Sequence, residues 1–333
     1  MPIKSTALQS SSVQPLVSVG IPAYNRPEGL YHTLKCITQQ TYKNIEIIIS
    51  NNCSPNLAVD EVASSFLSDS RIKYFKQPQN FGANFNFKFV LEKSSGDYFM
   101  WASDDDGWHP EYIERLLNLL LDDPSCSVAF ANFKCMDLNR VWIDDYKADD
   151  LLKNLLPLTV SNKFLRMIRF INNEPLGTAS IIYGLLRRDI AIESTHFMHE
   201  IFAADRLLVG YILWRGRLAI DEQELYYLRK SDSWESFYKR LHKSHKNNLY
   251  SANYKIINFV NDKLPKFVSN YFFDFEFFVS KRLHQLLFLE VGLTDSKLNV
   301  LDKIFWILLS IYLTTKIILS TIKRKLMNLV KHN

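Results

Sequence analysis

The sequence predicts an α/β fold, a mainly parallel central sheet flanked by helices, followed by a helical C-terminal extension. Three observations predict it. Up to Phe133, short apolar runs alternate with stretches of helical periodicity, the pattern of βαβ units. Several of these runs are apolar at nearly every position, as strands covered on both faces are. Beyond about residue 235 glycine almost vanishes, aromatics cluster (Tyr271-Phe272-Phe273, Phe275, Phe277-Phe278), and the pattern stays helical to the end.

The elements follow in order. Leu16 to Ile21 reads as a strand stopped by Pro22. Pro27 and Glu28 suit a helix start, and Leu30, Leu34 and Ile37 recur at helical spacing. Ile45 to Ile49 is a nearly all-aliphatic strand, and Asn51 to Asn56 is a loop by composition. A helix near 58–68, a strand over Ile72–Phe75, and a helix carrying Phe81, Phe85 and Phe89 on one face come next. Tyr98 to Trp101 is a strand, Pro110 opens a helix to about Leu121, and Val128–Phe133 is another strand. Residues 137–175 are irregular and rich in Asp and Asn. Ile181 to Leu186 reads as a strand, 203–214 as a helix and 217–221 as a strand. Right-handed crossovers put helices on both faces, and ligands bind where such strands end. The loops 22–27, 51–57 and 103–109 should therefore lie side by side.

Length and composition bound the function. The chain has 333 residues, 47% hydrophobic and 23% charged, enough for a large core and unlike a disordered chain. The formal net charge is +5, but residues 303–333 carry six basic and no acidic side chains, so the body is nearly neutral. No basic stripe points to nucleic acid. Four dispersed cysteines form no CxxC pair, and the polar, Ser-rich start lacks an apolar signal core. The expected organisation is a flexible leader over 1–14, an α/β domain over 15–235, and a helical region with a basic amphipathic tail over 236–333. The expected setting is cytoplasmic, with the tail a candidate for the inner face of the membrane. Ile304 to Ile322 is apolar apart from Lys316 and several Ser and Thr, and Lys323-Arg324-Lys325 follows. An interfacial helix drawn to anionic lipid and a core helix with a solvated basic end both fit that pattern, and Lys316 argues against a span.

The strongest chemical signal is Ser103-Asp104-Asp105-Asp106, placed between a strand and a helix. Three adjacent carboxylates repel one another, and a divalent cation such as Mn²⁺ or Mg²⁺ would remove that cost. A helix N-cap needs only one of them. No GxGxxG or GxxxxGK[ST] is present, so neither a dinucleotide site nor a P-loop is supported. His196 with His199, and His242 with His245, read as surface polar residues.

In sequence order, Val17 to Arg26, Gln39-Gln40-Thr41-Tyr42, Ile45 to Ile49, Asn51-Asn52-Cys53-Ser54, Asn80-Phe81-Gly82, Asn86, Ser95 to Tyr98 and the Asp cluster resemble family 2 glycosyltransferases. The match is dense over about 15–130. It thins to Tyr183-Gly184, Arg187-Arg188, Asp205, Tyr227 and Arg229 by about 235. The resemblance implies a Rossmann-like GT-A fold that binds a nucleotide-diphosphate sugar, a UDP-sugar favoured, with Mn²⁺ or Mg²⁺. It implies that Pro22, Ala23, Tyr24 and Arg26 line the nucleotide pocket and that Asn51 and Asn52 contact the base. Asn80, Gly82, Asn86 and Asp104 join the donor site. Asp105 is the main metal ligand, assisted by Asp106 or Asp104, and Asp205 is the catalytic base.

Two departures stand out. Asn51 replaces the family's usual Asp, and Ser103 replaces the first Asp of Asp-x-Asp-Asp. The implied activity is inverting transfer to a hydroxyl of a saccharide or lipid-linked saccharide. The alternatives are a catalytically silent donor-binding partner in a polysaccharide assembly complex, supported by Asn51 and by Ala204 where the family often has Glu, and a nucleotidyltransferase, for which Pro22-Ala23-Tyr24-Asn25 makes a poor phosphate loop.

Overall fold

A computed structural model of the chain describes residues 14–137, 139–142, 153, 155–172, 179–195, 198, 204–229, 299–305 and 307–308. Strands and helices alternate as β1 (Val17–Ala23), α1 (Pro27–Thr38), β2 (Ile45–Asn51), α2 (Ala58–Phe66), β3 (Ile72–Lys76), α3 (Ala83–Glu92) and β4 (Tyr98–Trp101). A two-residue strand β5 (Gly107–Trp108), α4 (Tyr112–Asp122) and β6 (Cys126–Met136) follow. Then come α5 (Lys163–Asn172), β7 (Leu185–Arg187), α6 (Arg188–Ser194), α7 (Ala204–Arg215) and β8 (Arg217–Arg229).

The strands form one eight-stranded sheet in the order β3-β2-β1-β4-β7-β6-β8-β5. β1 is parallel to β2 and β4, β2 to β3, and β6 to β8, while β7 and β5 run against their neighbours. The sheet is thus mixed but mainly parallel. Every residue of β1, β2 and β4 is buried, as their apolar runs require. After β1 the chain builds outward through β2 to β3, then returns to place β4 on the other side of β1. The end of β1 is therefore a topological switch point, where α/β sheets open a crevice for ligands.

The one charged residue in the aliphatic run of β2 is structural. Glu46 accepts hydrogen bonds from Ser18 Oγ at 2.6 Å, Lys73 Nζ at 2.7 Å and the Ser95 backbone N–H at 2.6 Å. Burial alone would raise its carboxyl, but the bonds from Lys73, Ser18 and Ser95 outweigh that and hold it at about 2. It is ionised at neutral pH and ties β1, β2, β3 and the turn before β4 together.

Several sequence expectations shift. Residues Ala179–Tyr183 form a 3₁₀ turn, and only Leu185–Arg187 is strand. A Cβ at the intervening Gly184 would lie 2.3 Å from the Ala129 carbonyl oxygen, so the chain reaches β6 only by a tight turn there. Pro110 lies two residues before α4, and Gly107–Trp108 pairs with β8 where a plain loop was expected. β8 continues eight residues past the expected 221, through a polar stretch and two register irregularities against β6.

The boundary near 235, residues 1–13 of the leader expected over 1–14, His196, His199, His242 and His245, and the tail after 308 lie outside the described residues. The first turns of the tail are described. Phe305 stacks on Trp214 of α7, with ring centroids 5.7 Å apart, and Lys163 pairs with Asp302 at 2.5 Å. Val300, Leu301, Ile304, Ile307 and Leu308 are exposed. Among the described residues no helix is long and apolar enough to cross a membrane.

Candidate functional site

The three loops expected to meet do meet. The Asn52 N–H donates to the Ala23 carbonyl at 3.0 Å, joining the ends of β2 and β1. The Asn25 N–H donates to Ser54 Oγ at 2.9 Å, and the Tyr24 N–H donates to Asp104 Oδ2 at 3.1 Å. Asn25 (φ 56°), Cys53 (φ 58°) and Arg140 (φ 63°) are non-glycine residues in the left-handed region, each in a loop leaving a parallel strand at this rim. Such strain is retained where the surroundings over-determine it, often at functional sites.

The acidic turn is held from beneath. Thr33 Oγ1 of α1 donates to the Ser103 carbonyl at 2.9 Å. One turn earlier, a Cβ at Gly29 would lie 2.0 Å from the Asp104 carbonyl oxygen. No other residue type lets α1 pass this close, so Gly29 fixes the height of the turn over the crevice.

The three carboxylates differ. Asp106 is buried and points into the protein. It accepts from Ser103 Oγ at 2.5 Å, Tyr226 OH at 2.5 Å and the Arg229 N–H at 2.9 Å. Burial and the charge of Asp105 push its carboxyl up to about 6, against those bonds. Asp104, also buried, faces the other way, accepting from Tyr24 N and from Arg26 Nη1 at 3.0 Å. Burial raises it to about 6 as well; Arg26 opposes the rise and Asp105 adds to it. Asp105 is half-buried, and its Oδ2 accepts from the same Arg26 nitrogen at 2.9 Å.

Asp104 and Asp105 thus aim an oxygen each at one cationic nitrogen, at the end of the sheet where β1 and β4 lie side by side. Hard oxygen donors of net negative charge suit Mg²⁺ or Mn²⁺. Among the described residues no three His, Cys, Asp or Glu side chains gather around a common point. One or two carboxylates completed by waters and substrate phosphates is the usual arrangement for Mg²⁺.

Asp205 stands exposed in the first turn of α7. Ser127 Oγ, at the start of β6, donates to the Ile212 carbonyl at 2.8 Å, so α7 ends where the parallel strands begin and its first turn, with Asp205, lies toward the end of the sheet that carries the triplet. The buried Tyr183 phenol is raised well above its ordinary value, by burial first and then by the charges of Asp106, Asp105, Asp205 and Asp104.

The other residues expected at the site divide by exposure. Tyr24 and Arg26 are open to solvent. Pro22 and Ala23 are the buried end of β1. The Asn51 amide is fully engaged: Nδ2 donates to Tyr74 OH at 3.1 Å and Asp60 Oδ1 at 3.3 Å, and Oδ1 accepts from the Ser54 N–H and hydroxyl. Asn52 Nδ2 donates to Asn80 Oδ1 at 2.9 Å and to the Gly82 carbonyl at 3.0 Å, which pulls the 80–82 loop over the end of β2. Gly82 caps α3 at φ 90°, a conformation glycine adopts without penalty. Asn86 Nδ2 bridges the Ser50 and Ala23 carbonyls, and its buried Oδ1 has no partner among the described residues.

Four residues here were missed from sequence. Gly29 and Thr33 carry no motif. Tyr226 lies where the strand was expected to have ended, yet it packs on Trp108, Tyr112, Phe130, Phe133 and Tyr183 beneath Asp106. Arg140, in the irregular Asp-rich stretch, donates to the Asp105 carbonyl at 3.5 Å.

Comparison with known proteins gives a consistent answer. The sequence model described as "Glycosyl transferase family 2" matches residues 18–194, more than half of the chain. An uncharacterized glycosyltransferase of Rickettsia bellii is 30% identical over 44% of this chain and 22% of its own length. One of Rickettsia typhi, RT0329, is 26% identical over 71% of this chain and 76% of its own. A putative teichuronic acid biosynthesis glycosyltransferase of Bacillus subtilis, TuaG, is 27% identical over 43% of this chain and 59% of its own. The chain therefore spans from about a fifth to three quarters of the length of these relatives. Among solved structures, residues 1–349 of Staphylococcus aureus TarS in complex with UDP-GlcNAc match with a TM-score of 0.55 at 14% identity, covering 86% of this chain and 69% of that one.

Proposed function

The chain belongs to glycosyl transferase family 2, and on that premise we propose that it transfers a sugar from a nucleotide-diphosphate donor to an acceptor hydroxyl with inversion. The observation that carries this reading is the convergence of Tyr24, Arg26, Asp104 and Asp105 at the sheet's switch point, with the first turn of α7 and its Asp205 toward the same end. Exposed Tyr24 and Arg26 meet the donor. Pro22, Ala23, Asn51, Asn52, Asn80, Gly82 and Asn86 shape the nucleotide pocket behind them, through the contacts that hold its loops.

Asp105, with Asp104, is the proposed ligand of a Mn²⁺ or Mg²⁺ ion; Asp106 positions the turn. When bound, that ion stabilises the negative charge that develops on the leaving diphosphate. The rest falls to side chains of this chain. The rim loops fix the donor so that its anomeric carbon faces Asp205. Asp205 takes the proton of an acceptor hydroxyl arriving on the face opposite the diphosphate. One displacement inverts the centre, by the stereochemical logic of one-step glycoside hydrolysis.

A panel of nucleotide sugars incubated with the protein and Mn²⁺ or Mg²⁺ tests the reading. UDP-GlcNAc heads the panel because the TarS complex that shares this fold holds it. Slow acceptor-independent release of the nucleoside diphosphate is expected. Formation of a nucleoside triphosphate and a sugar 1-phosphate when pyrophosphate is added would instead indicate nucleotidyl transfer, and tight binding with no release a silent donor-binding partner.

We assign the acceptor to the saccharides or lipid-linked saccharides, and the tail to an anionic membrane surface at the cytoplasmic face. Support comes from the exposed apolar side chains of residues 300–308 and from the basic, acid-free sequence that follows. The full chain is expected to sediment with phosphatidylglycerol-containing vesicles and not with neutral ones. Equal recovery with both, or with neither, would remove the membrane from the assignment.

A further inference from the structure

The contact between Arg26 and the acidic turn has an unusual form. An arginine facing a carboxylate commonly presents two nitrogens in a fork. Here a single nitrogen, Nη1, is shared between two carboxylates, at 3.0 Å from Asp104 Oδ1 and 2.9 Å from Asp105 Oδ2. The guanidinium acts as a point charge between converging oxygens, a task a small cation performs better.

The two sides of this contact are also unequally anchored. The side chain of Arg26 is 55% exposed, against 8% for Asp104 and 21% for Asp105. The backbone beneath Arg26 is fixed by the Tyr24 and Asn25 N–H bonds and by its own carbonyl, which accepts from the Leu30 N–H at 3.0 Å. The side chain can therefore leave while the carboxylates and the loop stay in place, because only the Arg26 end of the pair lies in solvent.

We propose that Arg26 is the resident counter-charge of the acidic turn, holding Asp104 and Asp105 together until a divalent cation displaces it, and then moving onto the donor's diphosphate. The inference deepens the sugar-transfer reading and rests on it. It gives one residue opposite effects on two ligands. Arg26 competes with the cation, because both need the same oxygens. It assists the nucleotide, because the released guanidinium is free for phosphate.

The test measures Mn²⁺ affinity without nucleotide, and UDP affinity at saturating Mn²⁺, in the wild type and in Arg26→Gln. The variant is expected to bind Mn²⁺ roughly three- to tenfold more tightly and UDP about tenfold more weakly. Its melting temperature should fall without metal, where two carboxylates lose their partner, and recover with Mn²⁺. Both affinities falling together would mark Arg26 as merely structural and overturn the proposal, as would an unchanged Mn²⁺ affinity. A second measurement needs no variant: in wild-type protein labelled at arginine nitrogens, the Arg26 side-chain resonance should move when Mg²⁺ is added alone. A resonance that stays in place while Mg²⁺ binds overturns the exchange but leaves the sugar-transfer reading standing. A wild type that binds neither Mn²⁺ nor Mg²⁺ overturns the exchange and the metal assignment together, and the donor panel then judges sugar transfer separately.

Discussion

Asp205→Asn is expected to lower the rate of sugar transfer by about 10²–10⁴-fold, the usual contribution of a positioned general base, with nucleotide affinity within about twofold of wild type. The substitution keeps the shape of the side chain and removes its ability to take a proton. Asp205 lies in the first turn of α7, where a carboxylate is favoured by the helix dipole and where Asn is tolerated in its place. The melting temperature should therefore change little, which separates a chemical loss from a folding loss. The residue is exposed, so an acceptor can reach it. Steady-state kinetics with a good acceptor, alongside UDP binding, provide the check. Turnover preserved within a factor of two would exclude Asp205 as the base.

The part of this arrangement legible in the sequence is the part written in backbone hydrophobicity. Val17–Ala23, Ile45–Asn51 and Tyr98–Trp101 are buried at every position, so their apolar runs announced them, and parallel order then forced their following loops together. Where polar residues serve tertiary partners, local pattern misled. Asp221 within β8 accepts from Arg115 at 2.7 Å, so a charged stretch that looked like a strand's end is tied into the sheet and continues to Arg229. The apolar run Ile181–Leu186 looked like one strand because composition carries no record of the close approach at Gly184. At the site, the acidic triplet was visible as a cluster, but not the division of labour within it. That division depends on Tyr226 and the Arg229 N–H, contributed by a strand 120 residues downstream. Asn51 shows the same limit. The resemblance implies a contact with the base, and nothing in the local sequence records the hydrogen bonds by which its side chain organises the loop that carries Ser54.

Asp105→Asn and Asp106→Asn, compared side by side, should separate ligand from scaffold. Asp105 is half-buried, and its carboxylate meets Arg26 at the crevice mouth, so losing its charge strips the proposed cation site while leaving the fold intact. Mn²⁺ affinity is expected to fall by at least the 10- to 100-fold seen when the mere supports of metal ligands are removed. Metal-dependent turnover should fall with it, at an unchanged melting temperature. Asp106 is the reverse case. All three of its partners are donors: Ser103 Oγ, Tyr226 OH and the Arg229 N–H. An Asn amide group placed among them brings a fourth donor and too few acceptors, and the imbalance is buried, at a cost of about 1–3 kcal/mol. Asp106→Asn should therefore melt earlier and lose activity through a displaced turn, with Mn²⁺ affinity recovering as temperature is lowered away from the transition. If Asp106→Asn instead abolished Mn²⁺ binding in a protein of normal stability, and Asp105→Asn did not, the ligand and the scaffold would have to exchange names. The outward oxygens of Asp104 and Asp105 would then have no metal to explain why they converge.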